Sequence, residues 1–157
     1  MRNLLLLVFI TFSVTAFSQK EGDTTFRHCP VFITDTASSN NFFIEGLPAT
    51  MNVNRMGGTL VVTVQQKDQF FTIFFRDRKL KNGKYKLKVN PGGRDAAAKY
   101  SFRSGDQVSY VNVSSGLIET SFDNEKNMWK VKVNGMIANM VERSVTYYRV
   151  RAELYLK

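Results

Sequence analysis

From Thr59 onward apolar residues recur at every second position, and this period is the strongest constraint on the fold. A period of two sends alternate side chains to opposite faces of an extended strand, whereas a helix needs a period near 3.6. In Thr59–Gln66 and Gln69–Arg76, a two-residue loop at Lys67-Asp68 sets Gln66 opposite Gln69. Val64 then faces Phe71, Val62 faces Ile73 and Leu60 faces Phe75, all apolar. The other face sets Val61, Thr63 and Gln65 against Phe70, Thr72 and Phe74, and is half polar. Slipping a strand by one residue exchanges its faces, so agreement between neighbouring strands on one inward face is informative.

Turn residues divide the rest of the chain. Asn134-Gly135 is a dipeptide favoured in type I′ turns. It predicts a hairpin pairing Val133 with Met136, Val131 with Ala138 and Trp129 with Met140, the last a sulfur–aromatic contact. A four-residue loop over 124–127 puts Phe122, Thr120 and Ile118 on the Trp129 face. Ser114-Ser115-Gly116 predicts another hairpin, with Val108, Tyr110 and Asn112 on that face. Ser104-Gly105-Asp106, like Ser114-Ser115-Gly116, reads as a three-residue loop and adds Ala98, Tyr100 and Phe102. In the last strand Tyr148, Val150, Ala152, Leu154 and Leu156 alternate with Arg149, Arg151 and Glu153.

Asn82-Gly83 predicts a hairpin between Arg76–Lys81 and Lys84–Val89, bulged near Asp77–Lys79, with Tyr85, Leu87 and Val89 inward. Asp95–Lys99 reads as one helical turn. Phe42–Leu47 and Thr50–Arg55 read as strands, and Phe26, Val31, Phe32 and Ile33 as the anchor of an edge strand. The expected fold is all-β, an antiparallel meander of about 8–11 strands. It closes into a barrel-like form or folds into a two-layer sandwich.

The N-terminus carries an address. Arg2 precedes an apolar run from Leu4 to Phe12 broken only by Thr11. Ala16 and Ser18 then stand three and one positions before the Ser18–Gln19 bond. This is the pattern of a secretory signal peptide, and the run is too short to span about 30 Å of hydrocarbon as a helix. The expected organisation is a signal peptide over 1–18, a partly irregular segment over 19–41 and a single β domain over 42–157. The expected location is exported, periplasmic or secreted, with no transmembrane segment after removal of the signal. Without Arg2 the chain has 21 basic and 13 acidic side chains, a net charge of +8.

The chain offers little to chemistry. One Cys and one His exclude a disulfide framework and the common zinc clusters. His28 and Cys29 are adjacent, so in extended chain their side chains point to opposite faces. Asp68, Asp77, Asp106, Asp123 and Glu125 fall at loops or strand ends, and Glu119 faces outward in mid-strand. No phosphate loop or nucleophile elbow occurs. The expectation is a non-enzymatic domain with no catalytic residue, metal or cofactor.

The basic cluster is the sharpest remaining feature. Arg76, Arg78, Lys79, Lys81, Lys84, Lys86 and Lys88 fall within thirteen residues. Arg76, Arg78, Lys84, Lys86 and Lys88 are the candidate ligand-binding residues, for an anionic glycan, a lipid headgroup or an envelope protein. Nucleic acid is not expected, because Tyr85 points inward and leaves no stacking platform. The competing explanation is a solvated face whose lysines protect a sheet edge. Two other functions fit an exported β fold. One is a carrier holding a small apolar ligand inside a barrel, although Trp129, Phe122, Phe102, Phe71 and Phe75 are large enough to fill it. The other is a hydrolase built on a carboxylate pair.

The succession L-x-N-G-x-Y-x-L (Leu80–Leu87), A-x-Y (Ala98–Tyr100) and S-G-x-I-x-x-x-F-D (Ser115–Asp123) resembles small exported β-domains of unknown function from Gram-negative bacteria. The resemblance covers about residues 59–141 and rests on turn and core residues. It implies an exported β-domain and supplies no active site.

Overall fold

The computed structural model describes residues 21–41, 43, 48–141 and 144–157. The predicted signal peptide lies outside the described residues, as does most of the predicted Phe42–Leu47 strand, of which only Phe43 is described. The fold is all-β. Its strands are β1 (Glu21–Phe26), β2 (Val31–Asp35), β3 (Ala49–Met56), β4 (Thr59–Gln66), β5 (Gln69–Phe75), β6 (Gly83–Lys88), β7 (Ala96–Ser104), β8 (Gln107–Asn112), β9 (Ser115–Asp123), β10 (Met128–Val141) and β11 (Ser144–Leu156). They form one sheet in the order β1-β3-β4-β5-β7-β6-β9-β10-β11-β2, with β8 beside β7. Every pairing is antiparallel except the single contact of Leu87 in β6 with Ala96 in β7.

Connectivity forces this sheet to curl. β1 and β2 lie at its opposite ends, yet only residues 27–30 join them. Five residue steps reach roughly 18 Å at most. In a flat sheet, nine strand spacings would hold those ends roughly 43 Å apart. The strands therefore wrap into a half-barrel rather than stacking as two layers. Among the described residues no pairing joins β1 to β2, so the wrap stops short of a closed barrel.

The curl gathers one side of the strands into a core. Val62, Val64, Phe71, Ile73 and Phe75 are completely buried, in the register expected across Lys67-Asp68. Ile118, Val131, Val150 and Leu154 close the opposite wall. Phe43 fills space between the walls and meets Tyr100 edge-on, and Phe75 meets Tyr85 with ring centroids 5.2 Å apart. Each buried apolar side chain of this size contributes about 1.5–3 kcal/mol.

Two other expected hairpins form. Gly105, at φ 58°, turns β7 into β8, but over two residues rather than the expected three, with Ser104 opposite Gln107. Val108 and Tyr110 therefore stand opposite Arg103 and Ser101 instead of sharing a face with Phe102 and Tyr100. The 124–127 loop sets Trp129 opposite Phe122, Val131 opposite Thr120 and Val133 opposite Ile118. The Gly57-Gly58 pair, both at positive φ, makes the β3–β4 turn.

Asn134-Gly135 is not a hairpin. β10 runs through it as one strand, paired with β9 on one side and β11 on the other. A type I′ turn needs positive φ at both central residues, and neither Asn134 nor Gly135 has it. The glycine serves close packing instead. A Cβ on Gly135 would come within 2.7 Å of Val113 Cγ1 and 3.1 Å of Leu87 Cδ1. The inward set therefore continues as Val131, Val133, Gly135 and Ile137, while Ala138 is exposed. Met140 lies eleven residues along the same strand from Trp129, about 36 Å away. The ring partner of Trp129 is Phe122, at 5.3 Å between centroids.

Ser114-Ser115-Gly116 is not a hairpin either. β8 and β9 run in the same direction, since both are antiparallel to β7 or to the strand parallel with it. The Val113 N–H donates to Ala98 O of β7 and the next, Ser114 N–H, to Met136 O of β10. The chain thus steps sideways without reversing. Val108 and Tyr110 lie exposed on β8 rather than inside, because the two-residue turn at Gly105 shifts β8 by one residue against β7.

Asn82-Gly83 also fails to make a hairpin, because the place beside β5 is taken by β7. β6 pairs with β9 instead, which breaks the simple meander. Asp95–Lys99 is mostly strand, and Val89 is exposed beyond the end of β6.

The glycine contacts supply a test. Gly116 sits at φ +143°, and a Cβ there would collide with Asn134 O and come within 2.5 Å of Gly135 Cα. Gly116→Ala is expected to cost more than about 2 kcal/mol in urea unfolding. Gly57→Ala, with nothing within 4 Å, should cost only about 1–2 kcal/mol for its left-handed backbone. A Gly116→Ala protein as stable as wild type would contradict the β9–β10 packing.

Candidate functional site

With β10 unbroken, β6, β9, β10, β11 and β2 share one outer face, and their registers align its side chains in rows. One row runs Lys84, Glu119, Lys132, Glu153 across β6, β9, β10 and β11. The next runs Lys86, Leu117, Asn134, Arg151, Phe32, and the third Lys88, Ser115, Met136, Arg149, Thr34. These are direct cross-strand neighbours, the positions at which side chains of adjacent strands interact.

The first row alternates in sign and is largely neutralised. Lys84 pairs with Glu119 at 3.0 Å. Glu153 accepts from Lys130 at 2.7 Å and from the Tyr155 hydroxyl at 3.0 Å, with Lys132 at 4.0 Å. The hydrogen bond from Lys130 holds the Glu153 carboxyl below its ordinary value against the opposing effect of burial, and the bond from Tyr155 adds a smaller lowering. The same contact with Glu153 raises Lys130.

The other two rows leave cations without partners. Lys88 is paired with Asp95 at 2.7 Å, which lowers the Asp95 carboxyl. Lys86, Arg149 and Arg151 are exposed and, among the described residues, have no carboxylate within 4.0 Å, although the Lys86 charge reaches Asp95 at longer range and helps to lower it. Between them lie the uncharged Leu117 and Asn134. An open groove of about 930 Å³ crosses this region, lined by Phe32, Thr34, Leu117, Asn134, Arg149 and Arg151 among others. Its far rim is the turn after β2. There Asp35 accepts from the Ala37 N–H at 2.9 Å and the Ser38 hydroxyl at 2.8 Å, and these bonds lower its carboxyl.

The structure divides the basic cluster. Lys84, Lys86 and Lys88 project from the outer face of β6 as expected, with Tyr85 and Leu87 buried behind them. Arg76 and Arg78 belong instead to the 76–82 loop, which is pinned at one end of the half-barrel. Arg55 Nε donates to Arg78 O at 2.8 Å, the buried Thr120 hydroxyl donates to Lys81 O at 2.6 Å, and Asn82 Oδ1 accepts from the Phe122 N–H at 2.8 Å. A smaller recess of about 290 Å³ lies there, lined by Arg55, Lys79, Leu80, Trp129 and Leu156. Cys29 is buried and His28 exposed.

Arg149, Arg151, Lys130 and Lys132 join the face although the sequence reading did not select them. Their alternation was visible. Their place on the same outer face as β6, reached through β9, is hidden in the sequence by the turn-like Asn134-Gly135 dipeptide. Comparison with family models, curated proteins and solved structures gives no match for this chain.

The lowered carboxyls define an acid limb of stability. A depressed carboxylate contributes stability above its unfolded value, about 4, and that contribution is lost as pH falls through the folded value. Urea midpoints should hold from pH 7 to about 5 and drop below about 4 as Asp35, Asp95 and Glu153 take up protons. Glu153 is partly solvated, so its share is under about 1 kcal/mol. Glu153→Gln should flatten that limb, and an unchanged limb in the variant would contradict the Lys130–Glu153 contact.

Proposed function

We propose that this chain is an exported, non-enzymatic binding domain that holds an anionic partner at the cell envelope through the outer face of β6, β9, β10, β11 and β2. The observation that carries the reading is the set Lys86, Arg149 and Arg151, exposed on one face with no carboxylate within 4.0 Å among the described residues, Lys86 acting on Asp95 only at longer range. The neighbouring charged row supports it differently. Its paired lysines and glutamates add little net charge. Lys84 and Lys88 of the basic stripe are partly neutralised by Glu119 and Asp95, so Lys86 is the stripe's main free charge. Arg76 and Arg78 add a second cationic zone at the end of the half-barrel. The signal-peptide pattern over 1–18 supports export.

Two observations weigh against the other functions. Phe43, Phe71, Phe75, Met51 and Ile73 occupy the interior where an apolar ligand would sit. Glu119 and Glu153 stand on either side of Lys132, and Glu153 is held ionised by Lys130. Held ionised, Glu153 is unsuited to the general-acid role in such a pair.

Heparin affinity tests the reading. Retention should fall steeply with salt, because binding releases counterions from a polyanion. Replacing Lys84, Lys86 and Lys88 together by Glu should lower affinity at least tenfold at low salt. Salt-independent retention, or a triple variant that binds like wild type, would overturn the proposal.

A further inference from the structure

We infer that the groove across β9, β10, β11 and β2 is a binding site for an acidic oligosaccharide, a short glycan bearing carboxylate or sulfate groups. The inference rests on the anionic-partner reading above and names the class of partner.

The groove offers two kinds of contact at fixed spacing. Arg149 and Arg151 are alternate residues of β11, about 7 Å apart along the strand and on one face. A guanidinium presents planar paired donors that match a carboxylate or sulfate, and a free one is available at each position. Lys86 faces them from β6 across Leu117 and Asn134, a distance of three strand spacings or roughly 14 Å. Asp35, Glu119, Lys132 and Glu153 also line the groove and Lys86 stands just outside it, but those carboxylates are held by the 35–38 turn, Lys84 and Lys130, so Arg149 and Arg151 are the lining cations outside any ion pair. The spacing of the cations suits an extended chain carrying an anion at intervals better than a single compact anion.

The remaining lining suits sugar. Phe32 stands directly opposite Arg151 and is 41% exposed, leaving a flat apolar surface in the groove. A pyranose has an apolar C–H face that can lie on such a ring, and hydroxyl groups around its rim. Asn134, beside Arg151 on β10, offers both a donor and an acceptor to those hydroxyls. Thr34, opposite Arg149 on β2, adds a hydroxyl that does both.

Two other polyanions fit less well. An acidic peptide commonly gains affinity by adding a strand to a free sheet edge. This groove lies on a sheet face, where β9, β10 and β11 have already spent their backbone groups on each other. Single-stranded nucleic acid wants successive aromatic platforms, and Phe32 is the aromatic lining this groove.

Calorimetry with the purified protein at low salt tests the inference. The probes are a heparin hexasaccharide, an oligogalacturonate, an uncharged cello-oligosaccharide, oligo-dT and oligoglutamate, the anions matched in charge. The expected result is binding of one or both acidic glycans at least tenfold tighter than oligo-dT or oligoglutamate. The Arg149→Gln, Arg151→Gln double variant should weaken glycan binding at least tenfold and reduce its salt slope. Phe32→Ala should weaken it severalfold with the salt slope unchanged. All three side chains lie at the surface, and a thermal melt of each variant checks that it is folded. Glycan binding lost only in the Lys84, Lys86, Lys88→Glu protein, and unmoved by the arginine and Phe32 changes, would overturn the groove while leaving the anionic-partner reading standing. Oligo-dT or oligoglutamate binding as tightly as the glycans would overturn the assignment to sugar. Failure of every anion to bind would overturn both.

Discussion

The structure depends on β10 remaining extended for its whole length. This fourteen-residue strand pairs with β9 along one edge and with β11 along the other. It thereby carries the sheet from its middle to the β2 end. What keeps it straight is the lack of a side chain at Gly135. Val113 and Leu87 fill the room a Cβ would need, and Gly116 faces it from β9. Turning the chain back at Asn134 would remove the backbone that separates β9 from β11.

The second constraint is topological. A linker of four residues ties the first strand of the sheet to its opposite end. The strands must then curl, and curling gives the sheet an inside. The inside is filled by aromatic and branched side chains, which leaves chemistry to the outside. There the same registers that align the core also align charges. A sheet with one buried face has its polar face organised as a by-product, and here that face concentrates cations where their carboxylate partners run out.

Much of this was legible in the sequence, and the limits have physical causes. The β4–β5 register, the β9–β10 register and the inward set of β11 followed from alternation combined with loop length. Faces were legible because a period of two fixes them locally. Neighbours were less so. Asn134-Gly135 and Asn82-Gly83 have the composition of tight turns, but turn propensity is a local preference that tertiary packing can override. At Gly135 the packing of Val113 and Leu87 prevailed, and beside β5 the place was taken by β7. The candidate site suffered for the same reason. Lys84, Lys86 and Lys88 were readable as a stripe within one strand. Arg149 and Arg151 are over sixty residues away in sequence, and only a continuous β10 brings the two sets onto one surface. Phe32, predicted only as an edge-strand anchor, becomes part of the groove through the β11–β2 pairing.

The central claim is therefore that β10 runs unbroken between β9 and β11, because the shared outer face exists only if it does. Nuclear Overhauser contacts in isotope-labelled protein test it directly. The account predicts cross-strand contacts from Gly135 to Gly116 on one side and to Val150 on the other, with the amides of 134–137 slow to exchange. Contacts between Val133 and Met136 across a turn, with Asn134 and Gly135 exchanging rapidly, would contradict it.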